Sequence, residues 1–229
     1  QNGSTEAGGR LGLFIRNSGY LRKWLILGIA IGIIAGLGAV VFFLTLKYAG
    51  EYLLGFLGGY QQPQASGDGG GSAPAGFSRP WAIPLIVFGG ALVSASIVAK
   101  FAPEAEGHGT DSAIEAVHTD PRSIRARVVL VKLIASALTI GSGGSAGREG
   151  PTAQISAGFG SLLTRRLDLS DADGRLAVSL GIGSGIGAIF SAPLGGAVLA
   201  ASIIYREDFN YRALCLLYTS DAADEEDSV

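Results

Sequence analysis

The sequence predicts an all-α membrane protein with broken and re-entrant helices, and three observations carry that expectation. Charged residues make up only 16% of the chain, where soluble domains average about 25%. Two long stretches, Trp24–Leu46 and Trp81–Ala99, hold no charge at all. Further along, apolar runs are interrupted by glycine and proline, and such breaks are tolerated at membrane depth only where protein or a water-filled cavity surrounds them.

Charge and cysteine content narrow the function classes. The formal net charge is -2, so no nucleic-acid partner is implied. Cys215 is the sole cysteine, which excludes an internal disulfide. His108 and His118 lack metal-ligand spacing and have no cysteine or carboxylate cluster beside them, so neither a metal nor another cofactor is expected. No nucleophile and base stand at motif spacing, and an enzyme is not expected.

Taken in order, residues 1–23 form a basic N-terminal segment carrying Arg10, Arg16, Arg22 and Lys23. The positive-inside rule places it in the cytoplasm. Trp24–Leu46 is long enough, at about 1.5 Å per residue, to cross a hydrocarbon core of about 30 Å. It is too long for a signal peptide and lacks a small-residue cleavage site behind it. Gly28, Gly32 and Gly36 recur every fourth residue, which predicts a flat helix face for close contact with a neighbour.

Tyr60–Ser78 is rich in Gly, Ser, Pro and Gln and reads as a flexible external loop. Trp81–Ala99 then returns inward, with Trp81 as an interfacial anchor and Lys100 at the far end. The later segments, Val128–Ile140 and Thr152–Thr164, are each too short to span alone. A polar stretch, Arg165–Arg175, separates them from the uncharged run Leu176–Tyr205, in which Pro193 predicts two shorter helices that meet.

Between the two short apolar segments lies "GSGGSAGREGP", Gly141–Pro151. A helix beginning near Gly150, with Pro151 in its first turn, leaves backbone N–H groups without intrahelical partners. Those groups and the helix dipole attract an anion by about 0.3–1 kcal/mol at a surface, and up to about 2 kcal/mol when partly buried. Glu149 stands where the anion would sit, so its carboxylate can occupy the site as a tethered anion that protonation releases. A phosphate cradle is the alternative, but the loop ends in Arg-Glu-Gly-Pro and lacks the Lys-Ser/Thr of that pattern. Glu149 could also serve merely as an electrostatic cap; an ionisable group inside a membrane costs about 2.5–3.5 kcal/mol, which favours a functional role.

At these residues the sequence resembles the CLC family of chloride channels and proton-coupled chloride exchangers. "GREGP" at Gly147–Pro151, followed by "TAQI", looks like the family's gating signature, and "AIFSAPLGG" at Ala188–Gly196 resembles its following helix pair, with Phe190, Ala192 and Pro193 at the junction. "GHGTDSAIEAVH", Gly107–His118, stands where the family has a turn opening another broken helix toward the ion. The resemblance covers Trp24–Leu214 and implies the first half of an inverted-repeat fold of about eight helices, with helix starts near Gly109 and Gly150 aimed at one point.

By that resemblance Glu149 is the gating glutamate, and Gly107, His108, Gly109, Gly147, Arg148, Gly150 and Pro151 line the anion site. His108 replaces the serine the family commonly offers; it can donate a ring N–H to an anion or simply pack at the cytoplasmic mouth. Asp111 and Ser112 are read as helix caps, and His118 as solvated. The exchangers' internal proton-relaying glutamate falls here at Ile203, which cannot carry a proton, although Glu207 and Asp208 follow one turn later.

The resemblance therefore implies voltage- or proton-gated chloride transport, passive rather than exchanging, by an integral multi-pass protein in a lipid bilayer. Intact members pair as homodimers through a face that includes the helix after Pro193. Residues 215–229 form an acidic tail expected to be non-native, and Tyr205 and Tyr211 are not candidates for the family's anion-reaching tyrosine. The second function class is a truncated membrane fragment that inserts but does not transport.

Overall fold

A computed structural model describes residues 20–60 and 79–204. Arg10, Arg16, most of the Tyr60–Ser78 loop, Tyr205, Glu207, Asp208, Tyr211, Cys215 and the tail of residues 215–229 lie outside the described residues. Within them the chain forms seven α-helices and no strand: α1 (Tyr20–Gly50), α2 (Ala82–Phe101), α3 (Thr110–His118), α4 (Ala126–Gly141), α5 (Glu149–Arg166), α6 (Asp171–Phe190) and α7 (Pro193–Ile204).

Two helical stretches, Arg22–Leu57 with 36 residues and Ala82–Phe101 with 20, are long and apolar enough to cross a membrane. The first outruns its uncharged core because α1 continues into a π-helical segment, Glu51–Leu57. There Gly58 N–H reaches back to the carbonyl of Leu53 at 3.1 Å, a wider turn that the sequence pattern does not signal.

One face of α1 is buried at Trp24, Leu27, Ile31, Ala35, Ala39 and Phe42, while Leu25, Leu37, Val40 and Val41 on the other face are exposed. That spacing follows the 3.6-residue turn. Gly28, Gly32 and Gly36 all lie on the buried face, which packs against α4, α5 and α6. The exposed face is as apolar as the buried one, the composition expected of a surface that meets lipid rather than water.

The centre of the bundle is α5 against α6. Both are buried over most of their length by small residues, and their backbones nearly touch: a Cβ on Gly160 would come 2.5 Å from the Ala177 carbonyl oxygen, and one on Gly181 2.5 Å from that of Ser156. Such proximity needs glycine. The interruption read at Pro193 is present, with α6 ending at Phe190, Ser191 in the left-handed region (φ 50) and Pro193 opening α7.

Two helices extend past the apolar runs, and one sequence reading needs correction. The run Thr152–Thr164 lies inside α5, whose 18 residues extend about 27 Å at about 1.5 Å per residue. Its polar ends, Glu149 and the Arg165–Arg166 pair, are helical although they break the apolar pattern. Likewise, most of the polar Arg165–Arg175 stretch is helix: α6 begins at Asp171, where the Ser170 hydroxyl accepts a 3.3 Å hydrogen bond from the Asp173 amide. Finally, Asp111 and Ser112 do not cap α3, because Gly109 is its N-cap and no side chain takes that role.

Candidate functional site

The short helix α3 and the long helix α5 begin against each other. A Cβ on Gly150 would lie 2.2 Å from the His108 carbonyl oxygen, and one on Gly109 would lie 2.8 Å from the Gly150 carbonyl oxygen. Only glycine permits this approach at Gly150, and at Gly109 the φ of +98° is a second reason for it. Gly107, at φ +80°, makes the preceding bend.

Each helix enters its hydrogen-bond ladder late enough to leave donors at its start. In α3 the Ala113 amide is bonded to the Gly109 carbonyl at 3.1 Å, so the amides of Thr110, Asp111 and Ser112 precede the ladder. In α5 the Thr152 amide (3.1 Å) and hydroxyl (2.7 Å) both donate to the Arg148 carbonyl. The amides of Glu149 and Gly150 precede that bond, and Pro151 has no N–H to offer. Two positive helix ends are thereby placed side by side, with the Glu149 carboxylate on the first residue of one of them.

Gly109, Gly150 and Pro151 are buried at the junction, whereas Gly107, His108, Gly147 and Glu149 are exposed and Arg148 is half-buried. The site around Glu149 is therefore open on one side among the described residues. The helix-pair residues also reach this region: the Arg148 guanidinium lies 5.2 Å from the centroid of the Phe190 ring. Ala192 is exposed and Pro193 half-buried at the turn into α7.

Two buried polar residues shape the site and were not read as part of it from the sequence. Lys132 of α4 is 4% exposed, and its Nζ donates to the carbonyls of Ala105 (3.0 Å) and Gly107 (2.6 Å). Gln154 of α5 is 1% exposed, and its Nε2 donates to the Glu104 carbonyl at 3.3 Å. Each bridges residues distant in sequence, so only their polarity within apolar segments could have flagged them.

In the 3-10 turn Pro103–Ala105, the Glu104 side chain accepts a hydrogen bond from Arg125. Glu104 has its carboxyl held below the usual carboxylate range, first by a hydrogen bond from its own backbone amide and then by the one from Arg125. Lys23 pairs with Asp173, tying α1 to α6.

A helical bundle whose interrupted helices start against one another belongs by architecture with membrane folds built on broken helices. Residues 90–223 match the sequence model described as voltage gated chloride channel, and the chain belongs to that family. It is 33% identical over 189 residues to an uncharacterized protein of Methanocaldococcus jannaschii, covering 82% of this chain and 40% of that one. It is 34% identical over 128 residues to the H(+)/Cl(-) exchange transporter ClcA of Citrobacter koseri, covering 55% of this chain and 27% of the relative.

Two solved structures share the fold. A slow cyanobacterial Cl-/H+ antiporter superposes with a TM-score of 0.67 at 22% identity, over 87% of this chain and 44% of the other. A CLC-type fluoride/proton antiporter superposes with a TM-score of 0.70 at 18% identity, over 93% of this chain and 48% of the other. The chain thus spans less than half the length of each of these proteins.

Proposed function

We propose that this chain forms one wall of a chloride-type anion pathway through a lipid bilayer, with Glu149 as its gate. The observation that carries the proposal is the contact between the starts of α3 and α5, with a carboxylate on the first residue of α5. Partial positive charge from two sets of amides favours an anion there, and the ionised Glu149 competes with it for the same field. Protonation removes the competitor. Gly107, His108, Gly109, Gly147, Arg148, Gly150 and Pro151 supply the backbone and side-chain surroundings of that site.

The open side of the site calls for a second wall, and the greater length of the relatives supports one supplied by further chain. The segment before α1 is cytoplasmic in this reading, and α7 contributes to a homodimer face. For coupling, α7 carries Ile203 where a proton-relaying acid would be needed, which favours passive conduction. The names of the relatives, exchange transporter and antiporter, favour proton exchange instead.

Reconstitution into chloride-loaded liposomes tests the first part. Chloride efflux that rises as pH falls, and loses that dependence in Glu149→Gln, supports the gate; a flat trace from folded, inserted protein favours a non-transporting fragment. Uphill proton movement driven by a chloride gradient decides between conduction and exchange.

A further inference from the structure

We infer that Gln154 is a positioning residue that holds the turn before α3 in the shape the anion site requires; the inference rests on the anion reading of that site. Gln154 sits one helical turn beyond Gly150, and its two polar atoms bracket the turn. Nε2 donates to the Glu104 carbonyl at 3.3 Å. Oε1, buried and without a hydrogen-bond partner, lies 2.9 Å from where a Cβ on Gly109 would stand.

A buried acceptor without a donor is costly, and an apolar side chain of the same size would avoid that cost. The Cα hydrogen of Gly109 that takes the place of a Cβ faces the oxygen, at best a weak contact. The amide orientation is fixed from the other end, since the Glu104 carbonyl needs a donor. One side chain therefore grips Glu104 and Gly109, the two ends of the segment that precedes α3.

Lys132 completes the arrangement from α4 by taking the carbonyls of Ala105 and Gly107. The carbonyls of Glu104, Ala105 and Gly107 are all engaged by donors from α4 and α5, so their negative ends are turned toward those helices. The Gln154 contact couples this geometry to α5 itself, so the α3 and α5 starts are set by the same side chain.

The test uses Gln154→Leu, which removes both polar ends, and Gln154→Glu, which keeps an oxygen near Gly109 but replaces the donor to Glu104 with an acceptor. In detergent-solubilised protein, amide hydrogen exchange over residues 104–112 is expected to accelerate about tenfold in both variants while α1 and α6 keep their protection. Half-saturating chloride, from calorimetric titration of sodium chloride at constant ionic strength, is expected to rise about tenfold in Gln154→Leu. Thermal unfolding without chloride reports whether either variant is merely unfolded.

Unchanged exchange over residues 104–112 in both folded variants would overturn the inference. So would faster exchange with unaltered chloride affinity, since the turn would then be irrelevant to the site. Wild-type protein that neither binds nor passes chloride would sink the anion reading instead, with the exchange result still deciding whether Gln154 holds the turn.

Discussion

The guanidinium of Arg148 lies 5.2 Å from the ring centroid of Phe190. Arg148 precedes α5 and Phe190 ends α6, so the two sequence motifs that resemble a single family's signatures also meet in space. The contact fixes the loop before Glu149 against the turn at Ser191–Ala192, and through that turn against α7. Anything that moves α7 has a short route to the carboxylate.

A double-mutant cycle measures that connection. Phe190→Leu keeps the apolar volume but removes the ring face, and Arg148→Gln removes the cation. A cation–π pair at this exposure contributes about 0.5–1 kcal/mol, so the coupling energy from thermal unfolding in detergent is expected in that range. Additive single and double mutants would show that the contact carries no energy.

Gly150 and Gly147 flank the Arg148–Glu149 pair but differ in surroundings. A Cβ on Gly150 would meet the His108 carbonyl oxygen at 2.2 Å, whereas one on Gly147 would meet nothing within 4 Å. Gly150→Ala is therefore expected to destabilise by about 1–3 kcal/mol as the α3 and α5 starts are pushed apart. Gly147→Ala is expected to stay within about 0.5 kcal/mol of wild type. Equal melting temperatures for the two variants would contradict the close contact.

Much of this was legible beforehand where one local rule decides the structure. Pro193 cannot continue a helix across the α6–α7 break, and Pro151 belongs in a first turn, so both punctuation marks could be read directly. The glycine repeat in α1 fixed which face would be buried, because small residues are what permit helices to touch. Lys132 and Gln154 were silent because their partners stand far away in sequence. In hydropathy Lys132 only interrupts the apolar run Val128–Ile140, although it is a buried donor to two carbonyls. Asp111 had the right chemistry for a cap, yet Gly109 took the position, since contact with Gly150 left no room there for a Cβ.

Glu104 gives a pH dependence with a definite sign. Its folded-state pKa is depressed, first by its own backbone amide and next by Arg125. A group of this kind contributes stability above its unfolded pKa of about 4.3, and that contribution is lost as pH falls through the lower folded value. The melting temperature of wild type is expected to drop on the acid side of about pH 4.3, with a smaller drop in Glu104→Gln. The pair is largely solvent-accessible, so the wild-type advantage is small; it is fully present and independent of pH above about pH 6, and it disappears as pH falls through the folded pKa.

Lys132 presents two opposing effects in one side chain. Burying an ammonium group is costly, so Lys132→Met relieves a desolvation penalty. The same change strips donors from the carbonyls of Ala105 and Gly107, which Lys132 holds at 3.0 and 2.6 Å. Ala105 is buried and Gly107 exposed, so water can replace the lysine at Gly107 but not at Ala105. An orphaned buried carbonyl costs about 1–3 kcal/mol, which is expected to outweigh the relief and leave the variant about 1 kcal/mol less stable than wild type. The loss should be local. Amide exchange is expected to rise across residues 105–110 before it rises in α1 or α6, because the turn ahead of α3 loses its anchor while the α5–α6 packing is untouched. A Met variant as stable as wild type, with that turn equally protected, would mean that the turn is held by its own backbone and by Gln154 without help from the lysine.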